Sequence, residues 1–313
     1  EQRLLHGIQL QHQPYEIRHK LHQTGAPARS LLVSDGSKRS EIITYGWVFG
    51  SEHEDIYAKH AGDGFGEFTS HRAEAWGMLS GLVFIHHLFV YTHSSDDQTL
   101  PAMPVTLLTD NSGLVSRVQQ RLAYDTPYPN ATLVPDWDIV EQIVKTMQQT
   151  HGCKFEVSWV KGHQDETAEL LTVEAKYNVI ADALAGGFES HSRWNNAGIE
   201  VLPAERCRLQ IQDVPVQGHY AKHIRHAYTT PAYHCYLEQR YGWTDAQISQ
   251  IDWQVFQRAT SSTIIAHVQL MKLVYDKLPT NSELAKVDSH HPSTCSYCAE
   301  RETFHHLLQC TNP

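Results

Sequence analysis

Strand-like and helix-like spacings of apolar residues alternate along the first two-thirds of the chain. Arg29 to Asp35 is an apolar run that ends in an acid, and Glu41 to Gly50 (EIITYGWVFG) is a second run. The short stretch Gly36–Ser40 between them reads as a hairpin turn. A third strand is expected over Asp55 to Ala61, followed by the glycine-rich loop AGDGFGEF. Ser70 then offers an N-cap, and Leu79, Leu82, Val83, Ile85, Leu88 and Phe89 recur at helical spacing. Pro104 to Asp110 (PVTLLTD) reads as a fourth strand, and Asn111 opens a helix carrying Leu114, Val115, Val118 and Leu122. Asp136 to Thr150 is another helix, with Ile139, Ile143, Val144 and Met147 on one side. Phe155, Val157 and Trp159 alternate with Glu156 and Ser158, a fifth strand that runs into Lys161-Gly162-His163. Leu170 to Ala185 is a last helix, closed by Gly186–Gly187. This order predicts an α/β fold, a mixed five-stranded sheet with helices on both faces.

The flanks read differently. Residues 1–26 are polar with scattered Leu and Ile and read as a connection from an upstream domain, stopped by Gly25-Ala26-Pro27. The chain opens on Glu1 rather than Met, which fits a piece of something longer. The sheet-forming domain is expected over residues 27–190. Residues 191–313 then hold the rest of a polar linker (Gly187–Glu205), a mainly helical region over Val214–His290, and a small metal-binding end. The longest apolar stretch, Gly77–Tyr91, is shorter than a bilayer requires and contains His86 and His87, so it reads as a buried helix and no membrane partner is expected. No signal pattern is seen. Cys153, Cys207 and Cys235 are scattered, while Cys295, Cys298 and Cys310 cluster with histidines. That distribution predicts reduced thiols in a cytoplasmic or nuclear, non-secreted protein.

Charge sharpens the picture. The net charge is -10, and residues 27–190 hold 11 Lys+Arg against 22 Asp+Glu, whereas residues 191–313 hold 11 of each. An acidic domain of this kind binds a polyanion weakly unless cations or flanking segments supply the positive field.

Four of those acids carry candidate chemistry. Asp35 and Asp110 end apolar runs and would be carried to the sheet's edge by rigid strands, while Glu74 and Asp182 sit in helical runs. Carboxylates brought together repel and raise one another's pKa. Divalent cations remove that conflict, and hard oxygen ligands suit Mg²⁺. Two such ions can clamp the attacking and leaving oxygens of a phosphodiester. The pattern predicts a metal-dependent nuclease.

In this order, SDGS with Asp35, SHRAEAWG with Glu74, LLTDNS with Asp110, WVKGHQD with His163 and YNVIADALA with Asn178 and Asp182 resemble ribonuclease H of type 1, over roughly half the chain. The resemblance implies a ribonuclease H-like sheet and endonucleolytic hydrolysis of the RNA strand of an RNA–DNA hybrid. It implies two Mg²⁺ ions, with Mn²⁺ as a substitute, held by Asp35, Glu74, Asp110 and Asp182, with Asp35 bridging both. His163 would pass a proton to the leaving group or help release product. Asn178, one turn before Asp182, would support that ligand. Ser70, Arg72 and Asn111 lie beside the carboxylates and are expected to touch phosphate or sugar, though Ser70 reads equally well as a plain helix cap. The long spacer between His163 and Asp182 is similar to that of ribonuclease H domains fused to reverse transcriptases in retrotransposon polyproteins. KLPTNSEL and CSYCAERETFHHLLQC resemble the segments that end such polyproteins. An upstream reverse-transcriptase domain is thereby implied as a partner.

Cys295, Cys298, His306 and Cys310 have the ligand types and spacing of one small structural Zn²⁺ site, a zinc-knuckle-like end, with His305 as the alternative to His306. Two rival readings stay open. One is a catalytically weak or inactive scaffold of the same fold that positions nucleic acid or polymerase. The other is a DNA-cutting or strand-transferring relative, against which the RAE helix after three strands and the KGH loop both speak.

Overall fold

The computed structural model describes residues 2–23, 29–40, 42–92, 102–126, 130–166, 170–189, 201–211, 214–253, 255, 258, 272 and 277–310. The expected Gly25-Ala26-Pro27 stop and most of the polar linker, residues 190–200, lie outside them. The chain divides into two compact units, Glu1–Thr229 and Thr230–Pro313.

The first unit is built on strands whose alternate residues serve opposite faces. These are β1 (Gln9–Leu10), β2 (Ser30–Arg39), β3 (Ile42–Ser51), β4 (Ile56–Asp63), β5 (Met103–Thr109) and β6 (Cys153–Trp159). They form one sheet in the order β1-β4-β3-β2-β5-β6, with β2, β5 and β6 parallel and the remaining pairs antiparallel. On one face Leu31, Val33, Val48 and Leu108 pack with Tyr177 and Ala181 of helix α6 (Val173–Gly187). On the other face Leu32, Trp47, Phe49, Val105 and Leu107 join the larger core with helices α3 (Ser70–Tyr91), α4 (Ser112–Leu122) and α5 (Trp137–Gln149). The period of two along each strand thus yields a mixed sheet covered on both sides.

The expected five strands are present, and the sheet has six. The sixth, β1, comes from the segment read as a connection: Gln9 and Leu10 pair with Lys59 and Ala58 at the edge of β4. Leu4 of helix α1 (Gln2–Leu5) and Ile17 and Leu21 of helix α2 (Pro14–Gln23) are buried in the main core. Their polar neighbours hide this from the sequence, because only a narrow stripe of each short helix faces inward.

Helix α3 is apolar nearly all round because it is covered nearly all round, by the sheet on one side and by α1, α2 and α5 on others. It is 22 residues long, seven more than the run Gly77–Tyr91, and by length and composition alone could cross a bilayer. Yet 83% of its most apolar window is buried inside the protein. Its cap is Thr69, whose side chain accepts from the Arg72 N–H at 3.1 Å, rather than the expected Ser70. Such a cap contributes about 1 kcal/mol.

Beyond α6, a hairpin of β7 (Leu209–Ile211) and β8 (Val214–Val216) leads into helix α7 (Tyr220–Tyr241). The stretch expected to be helical from Val214 therefore begins as a strand. Gln217, buried, binds this segment to the rest of the first unit. Its carbonyl accepts from the Asp136 N–H at 2.7 Å, its side-chain oxygen accepts from the Glu67 N–H at 3.0 Å, and its amide donates to Asp138 at 3.1 Å.

In the second unit the described residues include the rest of α7, α8 (Asp245–Ser249), α9 (Asn281–Leu284) and α10 (Phe304–Gln309). Thr244 and Gln247 form a reciprocal capping box on α8. The expected helical stretch also covers residues 259–271 and 273–276, which lie outside the described residues.

Candidate functional site

Strand β2 carries Asp35, and Asp110 directly follows β5, so two neighbouring parallel strands bring their acids to one end of the sheet. Glu74 arrives from the second turn of α3. One carboxylate oxygen from each of Asp35, Glu74 and Asp110 lies within 4.8 Å of the others. Asp35 and Glu74 are only 7% and 5% exposed, and Asp110 is half-buried. Asp182, on α6, is exposed and stands outside that triad, but its charge still reaches Asp35.

Close backbone contact sets this geometry. A Cβ at Gly36 would lie 2.3 Å from the Glu74 nitrogen, so α3 crosses β2 where only a glycine fits. Gly36 was expected to turn a hairpin. Instead β2 continues to Arg39, and the glycine serves the crossing. The Gly36 N–H donates to Asp35 Oδ1 at 2.6 Å, and the Thr109 hydroxyl donates to Glu74 Oε2 at 2.7 Å. Thr109 was not foreseen, although strand alternation places it on the α3 face beside Leu107 and Val105.

Electrostatics of the cluster follow. Burial pushes the Asp35 carboxyl up to about 7, helped by Asp110 and Asp182 and opposed by the Gly36 N–H. Burial, then Asp35 and Asp110, push the Glu74 carboxyl well above its ordinary value. Buried acids that cannot all ionise together form a site that a cation would relieve. The donor set, carboxylate oxygens alone, matches hard divalent ions of the Mg²⁺ type.

The loop after β6 is laid against Asp110. The Trp159 indole N–H donates to the Asp110 carbonyl at 2.8 Å, and a Cβ at Gly162 would meet Asp110 Oδ2 at 2.3 Å. His163 follows, exposed and with φ of 49°. Its neighbour therefore borders the cluster, while its own ring faces solvent.

No protein-family model matches the sequence, and no curated protein does. Among solved structures, the chain is similar to the amino-terminal ribonuclease H domain of a Mycobacterium tuberculosis protein, with 19% identity, 51% of this chain and 92% of that one covered, and a TM-score of 0.34. It is similar to ribonuclease H1 of the halophilic archaeon Halobacterium salinarum, with 19% identity, coverages of 50% and 95%, and a TM-score of 0.31. LC11-RNase H1, solved with an RNA/DNA hybrid, gives 16% identity, coverages of 50% and 94%, and a TM-score of 0.34. At these TM-scores the likenesses add nothing to the strand order and the site geometry.

The residues expected to touch substrate divide. Ser70, the first residue of α3, is exposed beside the cluster. Asn111 caps α4 by accepting from the Leu114 N–H at 3.0 Å. Arg72 is corrected: it is 1% exposed and cannot reach a bound strand. Its guanidinium pairs with Asp138 at 2.7 and 3.0 Å and with Asp136 at 3.0 Å, and its Nε donates to the Phe65 carbonyl at 2.5 Å. Those partners lie 64 and 66 residues away, which is why adjacency to Glu74 misleads. Asn178 is 2% exposed, and its side-chain nitrogen has no hydrogen-bond partner among the described residues, so no link to Asp182 is formed.

The second unit brings Cys295, Cys298, His306 and Cys310 within 4.8 Å of one another. Cys295 and Cys310 sulfurs are 4.0 Å apart and Cys298 and Cys310 sulfurs 3.9 Å, far beyond a disulfide. Four thiolate-type ligands around one zinc are about 3.8 Å apart, given Zn–S bonds of about 2.3 Å in a tetrahedron. His306 turns Nε2 to Cys298 at 3.1 Å and Nδ1 to Glu300 at 3.4 Å. A carboxylate behind a ligating imidazole fixes its orientation. His305 instead packs edge-on against Phe304. The Tyr297 and Cys298 N–H groups, with His306, draw the Cys295 thiol down to about 6, as a thiolate ligand requires.

Proposed function

We propose that this chain is a metal-dependent endonuclease that hydrolyses the RNA strand of RNA–DNA hybrids. The observation that carries the reading is the triad of buried Asp35 and Glu74 with half-buried Asp110 at the end of two parallel strands, oxygens within 4.8 Å, with Asp182 near enough to push on Asp35. Asp35, Glu74, Asp110 and Asp182 would hold two Mg²⁺ or Mn²⁺ ions. When bound, these supply Lewis acidity at the attacking and leaving oxygens.

The chain's own residues do the rest. The Gly36 N–H engages one oxygen of Asp35 and the Thr109 hydroxyl one oxygen of Glu74, which fixes the orientation of the two carboxylates that would hold the cations. Trp159 and Gly162 hold Asp110 against the sheet end. His163, exposed on its loop, would carry a proton to the departing 3′-oxygen or assist release. The exposed Ser70 at the start of α3 is the residue on hand to meet sugar or phosphate, and the 2′-hydroxyl is what distinguishes RNA from DNA.

The Cys295, Cys298, His306 and Cys310 cluster we read as a structural Zn²⁺ site, closed by four protein ligands and without catalytic duty. From the motif order we also propose a retroelement polyprotein origin, an upstream reverse-transcriptase partner, and a cytoplasmic or nuclear setting.

The test is cleavage of labelled RNA–DNA hybrid with Mg²⁺, with EDTA, duplex DNA and single-stranded RNA as controls. Products with 5′-phosphate and 3′-hydroxyl ends, absent with EDTA, are expected. Metal-independent cutting, or cutting of duplex DNA alone, would overturn the assignment.

A further inference from the structure

The start of helix α7 carries a positive stretch at the end of the acidic first unit. No Asp or Glu stands between Asp213 and Glu238, whereas His219, Lys222, His223, Arg225 and His226 follow in close order. Lys222, Arg225 and His226 are exposed. Spacings of three and four place Lys222, Arg225, His226 and Thr229 on one face of the helix. Ile224 and Tyr228, 55% and 83% exposed, lie on the opposite side.

This stretch does not trail loosely. Gln217 ties the turn before it to Glu67, Asp136 and Asp138, and the Tyr220 hydroxyl donates to the Thr132 carbonyl at 3.3 Å. His219 Nε2 lies 3.7 Å from Glu67. Asp138 is also the bidentate partner of Arg72, two residues before Glu74. The start of α7 and the start of the helix that carries Glu74 therefore share one buried network.

We propose that the basic face of α7 from Lys222 to Thr229 contacts the phosphate backbone of nucleic acid bound by the first unit. This rests on the nuclease reading, since it assigns the positive field that the carboxylate-rich domain lacks. Charge complementarity selects the occupant: residues 27–190 hold twice as many acids as bases, so a polyanion needs positive charge from elsewhere, and α7 is fixed to the domain by hydrogen bonds. Lysine and arginine at phosphates release condensed counterions, which gives binding its salt dependence.

The experiment compares the unaltered chain with Lys222→Ala/Arg225→Ala, and with the charge-keeping Lys222→Arg/Arg225→Lys. Hybrid binding is followed by fluorescence anisotropy across salt concentrations, in an Asp110→Asn background that leaves the probe intact, and cleavage is measured with Asp110 present. The alanine pair should bind about tenfold more weakly, with a log–log salt slope shallower by about two. Its KM should rise while kcat at saturating hybrid stays, and the charge-keeping pair should behave like the unaltered chain. Unchanged slope and affinity in the alanine pair, or no hybrid binding by the unaltered chain, would overturn the proposal. So would loss of binding to phosphatidylserine vesicles with none to hybrid, since that would make the helix a membrane contact. If the unaltered chain binds hybrid through these residues but never cuts it, the nuclease reading fails and the α7 assignment stands.

Discussion

The two candidate metal clusters are assembled in opposite ways. Asp35, Glu74 and Asp110 come from far apart in the sequence and are positioned by a sheet and helices with a large apolar core on each face. Cys295, Cys298, His306 and Cys310 come from one short segment. Among the described side chains of residues 277–310, only Thr280, Ser282 and Cys295 are buried. No aliphatic or aromatic side chain is among them. Polar stitches do what they can: the Asn281 N–H and side-chain amide donate to Glu302 at 2.8 and 3.0 Å, and the amide also donates to the Thr294 carbonyl at 2.9 Å. In the first region the fold assembles the carboxylates and tolerates their repulsion; in the second, the ion would have to supply the stability that a core supplies elsewhere.

The most severe break is at the carboxylates. Asp110→Asn keeps the shape and removes a ligand, so hybrid cleavage should fall about a hundredfold or more. In EDTA its melting temperature should equal or exceed that of the unaltered chain, because a repulsive charge has gone. Near-normal cleavage by this variant would sink the assignment.

The opposite result is expected at the thiolates. Zinc removal, or Cys298→Ser, should abolish amide-exchange protection over residues 277–310 and leave that of the sheet untouched. Elemental analysis should find about one zinc in the unaltered chain and none in the variant. Hybrid cleavage should survive; its loss together with zinc would mean that the carboxy-terminal end helps to hold substrate.

A smaller effect is expected at Gly162→Ala. The added Cβ meets Asp110 Oδ2, and the resulting shift should slow cleavage by about tenfold with little change in melting temperature. An unaltered rate would show that the Gly162 contact does not position Asp110.

The mildest test is pH in the absence of metal. Burial, with Asp110 beside it, pushes the Asp35 carboxyl from an ordinary 3.8 up to about 7, so the folded state holds the extra proton between those values. Its contribution to stability is therefore fully present at low pH and is lost as pH rises toward 7. Melting temperature in EDTA should decline over that window more steeply than in Asp110→Asn, and Mg²⁺ should flatten the decline. Equal slopes in both proteins would separate Asp35 from Asp110.

Much of this was legible in the sequence where information is local. Strand alternation and terminal acids placed Asp35 and Asp110, and Cys295-x2-Cys298 with His306 and Cys310 marked the second cluster, because each signal lies within a few residues. Distance in sequence hid the rest. Gly36 looked like a turn because its true neighbour, the backbone at Glu74, belongs to another element. Arg72 looked like a substrate contact because Asp136 and Asp138 are remote. Leu4, Ile17 and Leu21 looked incidental because their partners arrive only on folding.

Gln217 has a consequence of another kind, one that unfolds over time. Both ends of its amide are committed, the oxygen to the Glu67 N–H and the nitrogen to Asp138. Glutamine is thermolabile, and hydrolysis converts its amide to a carboxylate. Here it would exchange a donor for a second negative charge facing Asp138, at the turn that roots α7. Stored protein would then loosen slowly at that turn, and the contact proposed between α7 and nucleic acid would weaken with it, a slow clock written into one side chain.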